Sequence, residues 1–407
     1  MLEIKQKPRL HASWIDRHAR EIVEKLQRAG FTSYLVGGCV RDLLAGIHPK
    51  DFDIATNAQP NMVRKKVWGS YVIGKRFRLV LAKRDDQQYE IATFRRESKP
   101  EDFENAEDQP VGDNFFGTPE EDAIRRDFTI NALFYDPVKD ELIDYAQGMK
   151  DIEAKTIRMI GDPAARIIED PIRSLRAIRL AHKLKFMIEP TLRAAIQSNA
   201  SEVAKSVLPR RREEYLKFLR LDDHVPALCE LYDLNLMEHL LPSLKLVFDD
   251  NEKRDLFIQY MHRMEELTWD YKDPVEIYVP VVLAFTHAMQ GTPDFENVRD
   301  RFMKDELGMF KAEIGDVLHA IKRDREMPNI QSFKKRGFRR QKAFLSQSGL
   351  SMILRVARME MTMSPSELCF WENQLSFGPQ TYSQTEHHPS STEKNDDVDH
   401  DSDATQP

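Results

Sequence analysis

The run Leu35-Val-Gly-Gly-Cys-Val-Arg-Asp-Leu-Leu44, followed seven residues later by Asp51-Phe-Asp53, holds the residue types with the clearest chemistry in this chain. An apolar strand that ends in Gly37-Gly38 and turns into a helix leaves backbone N–H groups exposed at the helix start. No side chain there blocks an approaching phosphate. Arg41, one turn into that helix, can add a bidentate contact to the same anion. Residues i and i+2 of a strand project from one face, so Asp51 and Asp53 present two carboxylates to one or two hard cations. Two Mg²⁺ ions, or Mn²⁺ in their place, held in this way neutralise a triphosphate and lower the pKa of an attacking hydroxyl, the arrangement for nucleotidyl transfer. The competing reading is a solvated strand edge. Asp is a poor strand former, and two of them flanking Phe52 are unfavourable unless something binds them.

These residues need a scaffold to place them. Residues 13–29 put Ile15, Ile22, Val23 and Leu26 near helical spacing, with Gly30 as the C-cap, which predicts a helix. Between 31 and about 145, short β-like runs (Tyr34-Leu-Val, Asp51 to Thr56, Phe77 to Ala82, Tyr89 to Phe94, Ala132 to Tyr135) alternate with helical ones. That pattern predicts a mixed α/β domain. From about 150 to 375 the periodicity turns helical, as in 171–186 and 211–221, and predicts an all-α region of several short bundles. Ser98 to Asp113 reads as an acidic loop joining two strands, and 379–407, without apolar periodicity, as disordered. The expected divisions are an N-terminal helical extension (1–30), a catalytic head (31–150), a helical neck (151–245), a helical body (246–378) and an acidic tail (379–407).

The 407 residues are ample for several domains. A charged fraction of 31% and a mean hydropathy of −0.55 describe a water-soluble protein. No apolar run approaches the roughly 18–20 residues of a membrane helix. The charged N-terminus is followed by no apolar stretch of signal-peptide type, so a cytoplasmic location and no membrane partner are expected. Cys39, Cys229 and Cys369 have neither disulfide nor zinc spacing. The net charge of −7 argues against a nucleic-acid partner only until it is divided: residues 380–407 carry −6, leaving −1 for the rest.

Tyr34 to Gly46 together with Lys50-Asp-Phe-Asp-Ile-Ala-Thr56 resembles the head domain of the class II tRNA nucleotidyltransferase and bacterial poly(A) polymerase family, within the polymerase β-like superfamily. Glu120-Glu-Asp-Ala-Ile-Arg-Arg-Asp-Phe-Thr-Ile-Asn-Ala-Leu133 is similar to the family's ribose-reading segment, and Glu169 to Arg179 to its nucleobase-selecting helix. The resemblance covers roughly residues 10–245. It implies an α+β multidomain chain in which a nucleotidyltransferase head, a mixed sheet with helices, precedes an all-α neck and body. It also implies roles. Gly37, Gly38, Arg41, Arg125 and Arg126 meet the nucleotide's phosphates, and Asp127 and Asn131 its ribose. Glu90 assists Asp51 and Asp53 as a third carboxylate, and Asp127 is counted with the catalytic groups. Asp170 and Arg173 read the Watson–Crick edge in place of a template, with Arg176 and Arg179 reaching phosphate or steadying that pair. Without the family, 169–179 reads as a solvated helix face with i,i+3 ion pairs.

Both poly(A) polymerases and CCA-adding enzymes share these motifs. Gly74-Lys75-Arg76-Phe77-Arg78-Leu79-Val80 resembles the run of the polymerases, as do Asn114 to Asp122 and Phe134-Tyr-Asp136. The resemblance therefore implies AMP addition from ATP to RNA 3′ ends, the alternatives being CCA addition to tRNA or an RNA-binding protein that has lost catalysis. RNA contacts are expected from Lys75, Arg76 and Arg78, from Arg210, Arg211 and Arg212, and from Lys334, Lys335, Arg336, Arg339 and Arg340, where aromatics interleave with cations. Trp269, Tyr271, Phe370 and Trp371 read as core. The acidic tail departs from the family's basic tails, and no His-Asp phosphohydrolase pattern lies in the helical half.

Overall fold

The helix predicted over 13–29 forms as α1 (Arg17–Arg28) in the computed structural model, which describes residues 3–8, 10, 12–74, 78–98, 115–265, 273–323, 327–347 and 349–379. Asp16 starts it by accepting a hydrogen bond from the Ala19 amide at 2.8 Å, and Ala19, Ile22, Val23 and Leu26 form its buried stripe. Gly30, at φ +86°, ends it as the sequence predicts.

An eight-stranded mixed sheet carries the candidate site. Its strands are β1 (Ile4–Gln6), β2 (Ser33–Val36), β3 (Asp53–Thr56), β4 (Ser70–Ile73), β5 (Leu79–Arg84), β6 (Gln87–Thr93), β7 (Leu133–Asp136) and β8 (Glu141–Asp144), in the order β1-β8-β7-β2-β3-β6-β5-β4. Only β3 and β6 run parallel; the other neighbours are antiparallel. One face closes over Val36, Ala55, Phe94, Phe134, Ile143 and Tyr145, with Phe94 and Tyr145 meeting Phe134 edge-on at 6.1 and 5.9 Å. The strand expected over 51–56 begins only at Asp53, and the one expected over 77–82 lies at 79–84. Three strands were not foreseen. Ile4-Lys5-Gln6 is exposed throughout and shows no alternation, so only its backbone pairing to β8 makes it a strand.

Helices α2 (Gly38–Leu44), α3 (Pro60–Lys66), α4 (Pro119–Ile124) and α5 (Gly148–Glu153) pack within this head. Beyond it come α6 (Pro163–Glu169), α7 (Ile172–Leu184), α8 (Pro190–Ser198), α9 (Leu208–Phe218) and α10 (His224–Asp233). A two-residue parallel pair, β9 (Thr156–Ile157) and β10 (Met187–Ile188), is the departure from an all-α neck. The body continues through α11 to α16 (Met237–Leu240, Pro242–Phe248, Asn251–Glu265, Pro274–Met289, Phe295–Arg301 and Lys311–Arg323). Among the described residues no helix is long and apolar enough to cross a membrane. The chain divides into two compact units, 1–321 and 322–407. The second holds α17 (Ile330–Lys334), α18 (Phe338–Leu345), α19 (Leu350–Glu360) and α20 (Pro365–Phe377) around Phe333, Ile353 and Trp371. Trp371 is core and Phe370 packs against that core, as read from sequence; Trp269 and Tyr271 lie outside the described residues, as do 99–113 and 380–407.

Candidate active site

Register, rather than proximity in sequence, assembles the acidic group. Parallel pairing sets Asp53 at the start of β3 directly beside Glu90 of β6. Asp51 precedes the strand, yet the backbone still alternates: Asp51 and Asp53 are exposed and Phe52 between them is buried. Burial of its surroundings and repulsion from Glu90 push the Asp53 carboxyl up to about 6, against the pull of Arg126; Asp51 adds to the rise and Arg41 opposes it. Surface area alone would miss this, since Asp53 faces solvent while protein closes round its flanks.

Among the described residues none forms a hydrogen bond or ion pair with the side-chain carboxylates of Asp51, Asp53 or Glu90; the Cys39 thiol meets Asp53 only by donating to its backbone carbonyl. Among the described residues no group of three or more His, Cys, Asp or Glu side chains is drawn close enough to hold a metal by itself. Two hard carboxylates that no described residue neutralises fit Mg²⁺, which keeps water and substrate phosphates as most of its ligands instead of demanding a full protein cage.

The Gly37-Gly38 turn follows directly on Val36, the register partner of Asp53 on β2. Gly37 caps α2 at φ 72°, ψ −128°, a conformation closed to L side chains. A β-carbon there would also come within 3.0 Å of Arg126 Nη1. Gly37→Ala is expected to lower stability by about 2 kcal/mol and to weaken triphosphate binding. Thermal denaturation and a nucleotide titration measure the two effects, and an unchanged melting point would show that the turn is not strained.

The predicted phosphate-binding cations are mostly committed to protein partners. Arg41 is buried, donating to Asp42 Oδ1 from Nε and Nη2 (2.9 and 2.6 Å) and to Asn131 Oδ1 from Nη1 (2.6 Å). Lys183 of α7 reaches the other oxygen of Asp42 at 2.7 Å. Arg125 and Arg126 fork onto opposite oxygens of the buried Asp122, with closest contacts of 2.6 and 2.8 Å. Although burial alone would raise the Asp122 carboxyl, Arg126 and Arg125 together hold it below its usual range. Arg126 also donates to the Asn131 carbonyl at 3.1 Å. Asn131 in turn donates to Asp127 Oδ1 at 2.9 Å, and Arg176 meets Asp127 Oδ2 at 3.5 Å. Arg41, Arg126, Asp127, Asn131 and Arg176 thus form one connected network.

The segment 169–179 is not a single helix. Glu169 closes α6, Asp170 and Pro171 make the break, and α7 begins at Ile172, because Pro171 cannot extend α6. The Asp170 and Arg173 side chains are not paired with each other; the Arg173 amide donates to the Asp170 carbonyl at 3.1 Å. Arg210 grips Asp170 with two bonds of 2.9 and 2.8 Å, while Arg173 donates to Glu169 at 2.6 Å and to the Arg166 carbonyl at 2.7 Å. Arg179 donates to the buried Glu214 at 2.7 Å.

The tract Arg210-Arg211-Arg212 does not present three free cations. Arg210 is taken by Asp170, and Arg212 pairs with Glu313 and lies 4.5 Å over the Phe310 ring. Long-range carboxylates, invisible to a local reading, occupy Arg210 and Arg212 of this basic run. Arg78 is exposed; Lys75 and Arg76 lie outside the described residues. Lys335, Arg336, Arg339 and Arg340 are exposed, and Lys334 is half-buried, 5.4 Å from the Phe370 ring. Sequence reasoning missed Asp42, Asp122, Lys183 and Glu214. Asp122 was legible, standing three and four residues before Arg125 and Arg126.

Residues 33–158 match the family model described as the poly A polymerase head domain, and residues 185–247 the model for the probable RNA and SrmB-binding site of polymerase A. A mixed-sheet nucleotidyltransferase head followed by a helical region is the class of protein that fold and site define. Over these stretches the chain is similar to the class II tRNA nucleotidyltransferase and poly(A) polymerase family. It is 42% identical to poly(A) polymerase I of Haemophilus influenzae over 252 residues, 60% of this chain and 55% of that one. It is 38% identical to the CCA-adding enzyme of Bacillus pumilus over 203 residues, half of each chain. The chain therefore spans about half the length of the curated relatives it matches. The structure of the Bacillus stearothermophilus CCA-adding enzyme in complex with CTP shares its fold, with a TM-score of 0.60, 24% identity, and 88% and 80% of the two chains covered.

Proposed function

We propose that this protein is a polynucleotide adenylyltransferase that extends RNA 3′ ends with AMP from ATP. The observation that carries the reading is the register of β3 and β6, which sets Asp53 beside Glu90 within electrostatic reach of Asp51, Arg126 and Arg41. Asp51 and Asp53 would hold Mg²⁺, with Glu90 assisting; bound there, the metal would supply charge neutralisation of the triphosphate and a lower pKa for the attacking hydroxyl.

The chain's own residues do the positioning. The turn at Gly37 leaves room for phosphate beside Arg126, whose guanidinium Asp122 holds in place. Asp127 and Asn131, locked to each other, offer an acceptor and a carbonyl to ribose hydroxyls. Asp170 and Arg173, anchored by Arg210 and Glu169, stand at the break between α6 and α7 as the candidates for reading the base. Bound in this frame, the 3′-hydroxyl oxygen of RNA attacks the α-phosphorus in line. The bond to the bridging oxygen breaks and pyrophosphate departs.

Adenylate is preferred over CCA addition on the longer and closer match to a poly(A) polymerase, together with the Gly74 to Val80 run. The full-length protein, given labelled ATP or CTP with either an unstructured RNA or a tRNA lacking its terminal CCA, is expected to add many A residues to the unstructured RNA from ATP alone. A fixed addition to tRNA that then stops would make it a CCA-adding enzyme, and no pyrophosphate release on either RNA would leave an RNA-binding protein.

A further inference from the structure

We propose that the turn between α17 and α18 is a single-stranded RNA tether, separate from the nucleotide site, in which the exposed Phe338 ring stacks on a base while surrounding cations hold the phosphates. The proposal rests on the reading of RNA as substrate. From Met327 to Met359 the sequence holds eight Lys and Arg and no Asp or Glu. A solvated helix face stabilised by i,i+3 and i,i+4 ion pairs requires acidic partners that this stretch lacks.

The folded unit concentrates the charge. Lys335, Arg336, Arg339, Arg340 and Lys342 are all exposed, and none forms an ion pair with a described residue. Phe338, 52% exposed, stands among them. The backbone beneath is fixed. Gln341 is buried and its Nε2 donates to the carbonyls of Phe333, Lys334 and Arg336 at 3.2, 3.2 and 2.8 Å, closing the end of α17. Phe333 and Phe344 anchor the two helices, Phe333 lying 4.8 Å from the Trp371 ring. With those apolar side chains turned inward, α18 has no apolar stripe to sink into a bilayer. Its outward face offers guanidinium forks and one ring, the pairing that captures a strand by backbone and base together. A duplex hides its base faces, so the ring selects single strands.

The test is fluorescence anisotropy of the full-length protein with an unstructured oligoadenylate of about 20 nucleotides, longer than the roughly 4–16 of one binding module. ATP and metal are omitted and salt is varied. Arg339→Gln/Arg340→Gln is expected to weaken binding about 10-fold near 0.1 M salt and to flatten the slope of log K against log salt by about 1.4, at roughly 0.7 per phosphate contact. Phe338→Ala is expected to weaken binding about 5-fold or more without changing that slope. Incorporation on a primer of a few nucleotides should be unchanged, while KM for long RNA rises. Unchanged affinity and slope in both variants would overturn the tether. Loss of binding to vesicles of anionic lipid, with RNA binding intact, would overturn it in favour of a membrane surface. Normal RNA binding without any AMP incorporation would instead remove only the enzymatic reading.

Discussion

Asp53→Asn is expected to lower AMP incorporation by about 10³-fold or more while raising the melting temperature. The two effects share one cause. The native site holds the Asp53 carboxyl at about 6, above its ordinary 3.8, so the charged form is less stable folded than unfolded. Below pH 4 the carboxyl is protonated in both states and costs nothing. As pH rises through the interval up to about 6 the cost appears, and it is fully present at neutral pH. The asparagine variant should therefore gain over the native protein at pH 7, and the gain should vanish towards pH 4. Because Asp53 is exposed, the full shift overstates the effect, and roughly 1 kcal/mol is expected. In a unit of this size that is roughly 1–3 °C. The scan is made with a chelator present, since a bound cation would favour the native carboxylate. Substantial residual incorporation would take Asp53 out of the catalytic site, and a lower melting point would make it a structural residue.

Asp122→Ala is expected to destabilise the head by about 3 kcal/mol and to impair nucleotide binding as well. Asp122 is 2% exposed and receives Arg125, Arg126 and the Arg95 amide. Removing it leaves two guanidinium groups facing each other with no counter-charge, which costs far more than the net worth of the original pairs. Arg126 would lose its orientation beside Gly37, so KM for ATP should rise more than kcat falls. Asp122→Asn keeps the volume and one acceptor and should recover part of the stability but not the full affinity. A melting temperature unchanged in Asp122→Ala would mean that water already supports both arginines.

Much of the head was legible because its signals are local. The stripe of α1, the strand leading into Gly37-Gly38 and the alternation across Phe52 are set by neighbours within four residues. β1 was not legible. Its three residues are exposed, and its pairing to β8 depends on chain more than 130 residues away. The start of α7 was legible too: the helical run expected over 171–186 forms from Ile172 to Leu184, directly behind Pro171.

The sequence by itself determined which chemistry this chain is equipped for: an acidic pair beside a glycine turn, cations for phosphate, and an acid-free basic stretch at 327–359. Only the tertiary structure decided which of those groups remain available. A carboxylate or guanidinium is a ligand if nothing else neutralises it, and its neutraliser can stand anywhere in the chain. Asp170 and Arg210 lie 40 residues apart and Arg212 and Glu313 lie 101 apart, so two arginines of one basic tract are taken up in ion pairs within the helical region. Among the described residues no cation pairs with the carboxylates of Asp51, Asp53 or Glu90, and the register of two parallel strands sets Asp53 beside Glu90 next to the Gly37 turn.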